Sequence, residues 1–454
     1  MSFDRWRDGG RETAVIGLAR SGVAAALLLR REGIPVYASD LASKPDKTVG
    51  EAGVASLAAA GAEVQLGGHD LDRIRCSGLV VVSPGVPPSA APLEAARLAG
   101  VPIVSELDVG AAALPDARFV MITGTNGKTT TTALTGHVMR EAGLAAITAG
   151  NIGRPLAQVA LDRERADWIV LEVSSFQLHD THGIVPMIGA MTNLAPDHLD
   201  RYAKLEDYYA DKDRLYLHAS VASCWVLNGD DGEVLRRAAG RPGTVQRFSL
   251  RGQAEGWFDR ASGKVMLGEA ALIPRGQLAL LGDHNVANAL CAALIVRQAG
   301  GSMVGIAAGL RSFRALPHRL ESVREVHGVL WINDSKATNV SSTRVAVEAM
   351  DRPFVLLLGG RHKGEPYTAL AEAAAGRCRG VIAYGESRDL VVGDLGGRLP
   401  VTRAGTDFGE VLSVARTLAK EGDAVLLSPA CSSYDMFQNY EDRGAQFRAA
   451  VEAL

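Results

Sequence analysis

Aromatic side chains make up only 5% of this 454-residue chain, and it has only five cysteines. Cys76, Cys224, Cys291, Cys378 and Cys431 are odd in number and widely scattered, which excludes a zinc spacing or a disulfide framework and predicts a reducing, cytoplasmic setting. No uninterrupted apolar stretch approaches the ~18 residues of a membrane span, and the opening MSFDRWRDGGRET carries charges where a signal peptide needs an apolar core. A soluble protein with no membrane partner is expected. Excess positive charge is also missing. Forty-eight basic side chains face 51 acidic ones, a net of −3, so no global field exists to hold nucleic acid. Anionic ligands must be caught by local sites.

With 47% hydrophobic and 22% charged residues the composition is that of a globular chain. At roughly 150 residues per domain its length suggests about three domains. Short apolar runs alternate with Ala/Leu-rich stretches from one end to the other, the pattern of parallel sheets with crossover helices, so the fold class is α/β throughout. Strands are expected at 13–16, 35–39, 79–82 and 101–104, with a helix over 21–32. Leu114-Pro115-Asp116 then breaks the pattern and sets a first boundary, giving domains at 1–115, 116–313 and 314–454. In the second domain strand 118–123 leads into helix 128–142, followed by strands at AAITA, WIVLEV and IGAMTNL. The segment 245–280 reads as appended hairpins, and helices at 285–299 and 302–312 close the domain. The third has strands at VLWIN, FVLLL, GVIAY and AVLLS and a last helix over 436–454.

The strongest local signal is Gly124-Thr125-Asn126-Gly127-Lys128-Thr129-Thr130, between a strand and a helix. Backbone N–H groups of such a loop point inward at the helix N-terminus, a lysine adds positive charge and a threonine hydroxyl can ligate Mg²⁺. Ile122 stands where the common G-x-x-x-x-G-K-[ST] pattern has its first glycine. Glu172 ends strand WIVLEV, where a carboxylate beside a phosphate loop could bind the same cation or simply meet solvent. The loop from Asn193 to Asp200 packs two acids and His198 around Pro196. It can hold a metal, although without context a helix-capping loop is the favoured reading. Lys212, among Asp207, Asp211 and Asp213, reads as part of a solvated, charge-balanced helix face.

In the first domain Gly17-Leu18-Ala19-Arg20-Ser21-Gly22 follows a strand and Asp40 ends the next, as in a dinucleotide fingerprint, but Ala19 replaces the middle glycine. Ser83-Pro84-Gly85 offers another backbone-lined turn. Three strand ends of the third domain carry polar loops: Asn333-Asp334-Ser335-Lys336-Ala337-Thr338-Asn339, Gly359-Gly360-Arg361-His362-Lys363 and Ser428-Pro429-Ala430-Cys431-Ser432-Ser433. Lysines, hydroxyls and N–H groups on one sheet edge describe a carboxylate or phosphate site, while each loop alone could be a structural turn.

GTNGKTT, AGNIG (149–153), LEVSSFQL, NLAPDHLDRY, HNVANA (284–289), LPHRLE, NDSKATN, LLLGG and LSPACSSYDMF together, in this order, resemble the Mur ligase family, the ATP-dependent amino-acid-adding enzymes of peptidoglycan synthesis. Within it LEVSSFQL, NDSKATN and SPACSSYDMF are most similar to the members that add D-glutamate to UDP-N-acetylmuramoyl-L-alanine. The resemblance implies a Rossmann-like N-terminal domain for the UDP-sugar, a central P-loop ATPase-like domain and a Rossmann-like C-terminal domain for the amino acid. It also implies a monomer.

The resemblance assigns ATP phosphates to Gly124 through Thr130 and Mg²⁺ to Thr129, Thr130 and Glu172, with His198 beside a second Mg²⁺. Lys128, His198 and Lys212 would be catalytic, and Lys212 would carry a carbamate at the metal site. Asn285 and Asn288 would meet adenine, and Arg319 and Asp334 would reach the nucleotide. The sugar nucleotide would face Leu18, Ala19, Asp40, Ser83, Gly85, Asn151 and Ser174. Incoming glutamate would meet Lys336, Thr338, Lys363, Ser433 and Tyr440, the last standing where the family generally has Phe. Another amide ligase of this architecture, including a folylpolyglutamate synthase, stays open, as do an NAD-dependent oxidoreductase and a non-catalytic nucleotide switch.

Overall fold

The computed structural model describes residues 3–7, 10–151, 153–198 and 201–454. Ile152 of AGNIG and Leu199 and Asp200 of the His198 loop lie outside the described residues. By its contacts the chain divides into two compact units, 1–275 with 287–311 and 276–286 with 312–454.

The first unit holds two sheets. After α1 (Phe3–Arg7), strands β1 (Thr13–Ile16), β2 (Val36–Asp40), β3 (Glu63–Leu66), β4 (Leu79–Val82) and β5 (Ile103–Ser105) form a parallel sheet in the order β3-β2-β1-β4-β5. Helices α2 (Arg20–Arg31), α3 (Gly50–Ala59), α4 (Leu71–Cys76), α5 (Ala91–Leu98) and α6 (Glu106–Ala112) connect and follow them. β1 and β4 are buried along their whole length, as crossover helices on both faces of a parallel sheet require. β3 had no clear sequence signal because its EVQL alternates and stays half-exposed at the sheet edge.

The second sheet has nine strands in the order β14-β13-β12-β11-β10-β9-β6-β8-β7. Its elements are β6 (Arg118–Thr123), α7 (Lys128–Glu141), β7 (Ala146–Gly150), α8 (Leu156–Leu161), β8 (Trp168–Glu172), α9 (Ser175–Asp180), β9 (Ile188–Met191), α10 (Leu205–Asp213), β10 (Cys224–Asn228), α11 (Gly232–Ala238) and β11 (Thr244–Ser249). β12 (Gly256–Asp259), β13 (Lys264–Leu267) and β14 (Ala270–Pro274) follow, then α12 (Asp283–Gln298) and α13 (Met303–Ser312). The expected hairpins are the antiparallel β12-β13-β14, but β11 pairs parallel with both β10 and β12 and belongs to the main sheet. IGAMTNL leaves the sheet at Met191, because the next residues turn onto the loop that follows β6.

The second unit holds β15 (Glu321–Val326), β16 (Val329–Asn333), α14 (Val340–Glu348), β17 (Phe354–Gly359), α15 (Ala369–Ala374), β18 (Cys378–Tyr384), α16 (Arg388–Leu395), β19 (Val401–Arg403), α17 (Phe408–Leu418), β20 (Ala424–Leu427) and α18 (Tyr440–Glu452). The sheet order is β15-β16-β20-β17-β18-β19, with only β15 antiparallel to its neighbour. The last helix begins at Tyr440, not near Met436, because Asn439 caps it by accepting from Asp442 N–H.

Candidate active site

Strand β6, flanked by β9 and β8, delivers the chain to a loop that only glycine can shape. Gly124 (φ 138°) would put a Cβ 2.0 Å from Thr192 Oγ1, and Gly127 (φ 83°) would put one 2.5 Å from Asn288 Oδ1. The end of β9 clasps the loop: Thr125 N–H donates to Asn193 O (2.8 Å), Asn126 N–H to Asn193 Oδ1 (2.9 Å) and Thr192 Oγ1 to Asn126 O (2.6 Å). Gly127 starts α7 without a capping side chain, and Thr129 and Thr130 stand half-buried in the first turn. Such a helix start is an anion cradle.

Two lysines converge on one carbonyl. Lys128 Nζ donates to Gly124 O (3.0 Å) and Thr125 O (2.9 Å), while Lys212 Nζ donates to Gly124 O (2.8 Å) and Thr123 Oγ1 (3.3 Å). Burial, then the charge of Lys128, holds the Lys212 amine well below the usual lysine range; Asp197, Asp211 and Glu172 oppose this. The expectation of a solvated face on α10 is therefore corrected: Lys212 is 1% exposed. The acids around it are balanced elsewhere. Asp213 and Glu206 accept from Arg237, and Asp211 accepts from Tyr202 OH and pairs with His179. Tyr208 and Lys212, four residues apart, form the inward face, with the amine 4.9 Å from the ring centroid.

Glu172 is also buried, not at a solvated strand end. Its Oε1 accepts from Asn151 Nδ2 (2.8 Å), and Asn151 N–H donates to Glu172 O (2.9 Å). Oε2 has no hydrogen-bond partner within the protein, a cost that a cation would remove. Among the described residues no three His, Cys, Asp or Glu side chains cluster to hold a metal. One carboxylate with an unpartnered oxygen, together with the hydroxyls of Thr129 and Thr130 in the first turn of α7, is a donor set that fits Mg²⁺ bound largely through phosphates and water.

The loop bearing His198 does not cap a helix, since α10 starts later and takes Lys204 as its N-cap. It docks on the 124–130 loop instead, where Thr125 Oγ1 bonds to Ala195 N–H (3.0 Å) and Tyr208 OH (3.1 Å). His198 (φ 55°) packs its ring against Phe176 (4.9 Å) and lies 3.6 Å from Asp197. Ser174 is the N-cap of α9, in a reciprocal box with Gln177.

In the first sheet, the loops after β1, β2 and β4 share one edge. Leu18 N–H donates to Asp40 Oδ2 (2.6 Å) and Ala42 N–H to Oδ1 (2.8 Å), so the acid ties its own loops together. Ser83 Oγ donates to Gly17 O (2.7 Å), Ala19 begins α2 without a capping side chain, and Gly85 is exposed. Arg201, next to the His198 loop, donates to Pro84 O (3.2 Å) and Val86 O (2.8 Å), so the Ser83 turn and the metal-candidate loop are joined.

Asn288 belongs to the first unit, where its Oδ1 accepts from Thr131 Oγ1 (3.1 Å). Asn285 falls in the second, its Nδ2 donating to Leu281 O (2.7 Å). There Asp334 is buried between Leu320 N–H (3.1 Å) and Ser428 Oγ (2.8 Å), and burial pushes its carboxyl up to about 7 against the half-buried Arg319 nearby. Lys336 Nζ lies 3.7 Å over the Tyr440 ring, Lys363 Nζ donates to Thr338 Oγ1 (3.4 Å), and Ser433 is buried, like Cys431 two residues before it. The residue that sequence reasoning missed is Arg443. Fully buried on α18, it donates to Ser335 Oγ (2.9 Å), Ser335 O (2.9 Å) and Cys431 O (3.2 Å), tying the loops after β16 and β20. Its position seven residues from Met436, in an ordinary polar helix, gave no signal.

Three family models match the chain: Mur ligase MurD-like N-terminal domain over 11–105, Mur ligase middle domain over 122–296 and Mur ligase glutamate ligase domain over 318–431. UDP-N-acetylmuramoylalanine–D-glutamate ligase of Myxococcus xanthus is 40% identical over 458 residues, covering 98% of this chain and 99% of that one. The enzyme of the same name from Salinibacter ruber is 40% identical over 457 residues, covering 97% of each. Among solved structures, UDP-N-acetylmuramate-alanine ligase MurC of Thermotoga maritima superposes with a TM-score of 0.61 at 18% identity, covering 98% of this chain and 99% of that one. A pseudomurein peptide ligase type C of Methanothermus fervidus gives 0.57 at 18% identity, with the same coverage. With three domain models in sequence order and full-length relatives at this identity, the chain belongs to the Mur ligase family.

Proposed function

We infer that this protein joins D-glutamate to UDP-N-acetylmuramoyl-L-alanine at the expense of ATP, giving ADP and phosphate, in peptidoglycan synthesis. The observation that carries this is the full-length 40% identity to ligases named for that reaction. It displaces the oxidoreductase and nucleotide-switch alternatives. The substrate carboxylate attacks the γ-phosphorus, the bond to the β–γ bridging oxygen breaks and ADP leaves. The glutamate amine, having lost its proton, then attacks the acyl phosphate carbon and phosphate departs.

On this reading Gly124 through Thr130 hold the ATP phosphates, and Lys128 offsets the charge of two mutually repelling anions. Lys128 is held at the loop by its bonds to the Gly124 and Thr125 carbonyls. Thr129, Thr130, Glu172 and His198 would hold Mg²⁺, which when bound neutralises phosphate charge. Lys212 is assigned as the carbamylated lysine, because burial lowers the cost of neutralising its amine, and a neutral amine can add CO₂ and release a proton, becoming an anion. The first sheet holds the sugar nucleotide, while Lys336, Thr338, Lys363, Ser433 and Tyr440 receive glutamate. Domain limits at 115 and 313 are proposed with these roles. Among the described residues no helix is long and apolar enough to cross a membrane. A cytoplasmic monomer goes with the ligase reading. Phosphate release measured with each substrate omitted in turn, alongside incorporation of radiolabelled D- and L-glutamate, tests the assignment. Release that ignores the sugar nucleotide, or no incorporation of D-glutamate, would overturn it.

A further inference from the structure

Three features converge on α8, the helix that follows the Asn151 loop. At its N-terminus Glu106, buried at the start of α6, accepts from Ala157 N–H (2.5 Å). At its other end Arg31, on α2, donates to Ala160 O (3.0 Å) and Leu161 O (3.3 Å). A carboxylate at the positive end of the helix and a guanidinium at its negative end match its dipole. Between them α6 and α8 touch at Gly110, where a Cβ would lie 2.6 Å from Leu156 Cγ and 2.7 Å from Ala157 N. Beside this, Asp108 accepts from His182 N–H (3.1 Å) and Gly183 N–H (2.6 Å), and Ser105 Oγ bonds to Thr181 Oγ1 (2.8 Å). Both α2 and α6 belong to the first sheet, whereas α8 and residues 181–183 belong to the second.

We propose that Glu106, Asp108 and Arg31 are positioning residues that lock the sugar-nucleotide sheet onto α8, and so fix the substrate carboxylate relative to the phosphate loop. The lock is coupled to the site by a short path. Gly150 N–H donates to Arg154 O (3.0 Å) just before α8, and Asn151 makes two bonds to Glu172 in the same loop. A shift of α8 is therefore passed to Asn151, while Glu172 stays anchored in β8, which is paired on both sides by β6 and β7. The inference rests on the ligase reading for its kinetic consequence and on geometry alone for its structural one.

The test uses the full-length enzyme with Glu106→Gln, Glu106→Leu, Gly110→Ala and Arg31→Ala. Gln keeps an acceptor for Ala157 N–H, Leu removes it, and the Gly110 variant forces α6 from α8 without touching a charge. Expected for Glu106→Leu and Gly110→Ala is a fall of about tenfold or more in kcat/KM for the sugar nucleotide, since small misplacements of reacting groups are costly. ADP affinity, measured by calorimetry, should stay within about twofold, and Glu106→Gln should retain most activity. If Glu106→Leu does not fold, Gly110→Ala and Arg31→Ala carry the comparison. The structural arm needs no turnover. Spin labels on the exposed Cys76 and on Arg236→Cys, with Cys378→Ser throughout, should give a narrow distance distribution in the parent and a broadened one in the variants. Unbroadened distances, or ADP affinity falling as far as kcat/KM, overturn the lock. A parent that ligates no D-glutamate yet shows the broadening overturns the function and leaves the lock standing.

Discussion

An ordinary lysine near pKa 10.4 is neutral in fewer than one molecule in a thousand at pH 7. Lys212 has lost the water that keeps lysines charged and faces a second lysine across one carbonyl, so it holds its proton less tightly than an ordinary lysine. Lys212→Ala is expected to lower kcat by about 100-fold or more, the usual cost of a lost transition-state charge contact. Acetate or formate should restore part of it if the working group is a carbamate. Rescue by methylamine, with none from the carboxylates, would show that the lysine acts as a cation. Asp334 makes a separate prediction. Its carboxyl is raised by burial to about 7, so its contribution to stability is complete below its unfolded value near 4 and is lost as pH rises through 7. Denaturant midpoints of Asp334→Asn should therefore gain on the parent between pH 5 and 8; parallel curves would refute the shift. Sequence could not find the inward turn of Lys212, because neighbouring acids Asp211 and Asp213 looked like its partners until His179 and Arg237 were placed beside them in space.

Loops at strand ends were the most legible elements. Glycine spacing at Gly124 and Gly127 requires a backbone shape that the positive φ values show, and the strand before and helix after it are set by apolar runs. Gly127→Ala is expected to cost about 1–3 kcal/mol through its left-handed backbone, with more from contact with Asn288. Weakened nucleotide binding by calorimetry, with UDP binding unchanged, is the check. Edge elements such as β3, β15 and β19 were illegible, because half-exposed strands alternate polar and apolar residues without a distinct run. Arg443 was illegible for another reason: a helix sequence does not say which of its charges is buried. It holds two loops that carry Ser335 and Cys431, so Arg443→Lys, with fewer donors in a different geometry, should raise KM for glutamate several-fold more than KM for ATP. Equal changes in both would mean that α18 serves only stability.

At the scale of the whole molecule, the division into two compact units with separate buried cores sets what ligands can stabilise. Leu18, Asp40, Ser83 and Asn151 all lie in the first unit, whereas Trp331 is the second unit's buried tryptophan and the other four tryptophans belong to the first. A ligand confined to one unit stabilises that unit by mass action, about 2.7 kcal/mol at 100 times its Kd, and leaves the other unchanged unless the two unfold together. UDP is therefore expected to raise the thermal midpoint reported by Trp168 and Trp225 without moving the midpoint reported by Trp331. Fluorescence melts of the parent and of Trp331→Phe isolate the two signals by difference. If UDP shifts both midpoints equally, the units melt as one cooperative body, and binding at the first sheet is felt by the Lys336 and Lys363 loops through that cooperativity. If it shifts only the Trp331 signal, the sugar-nucleotide site has been assigned to the wrong sheet.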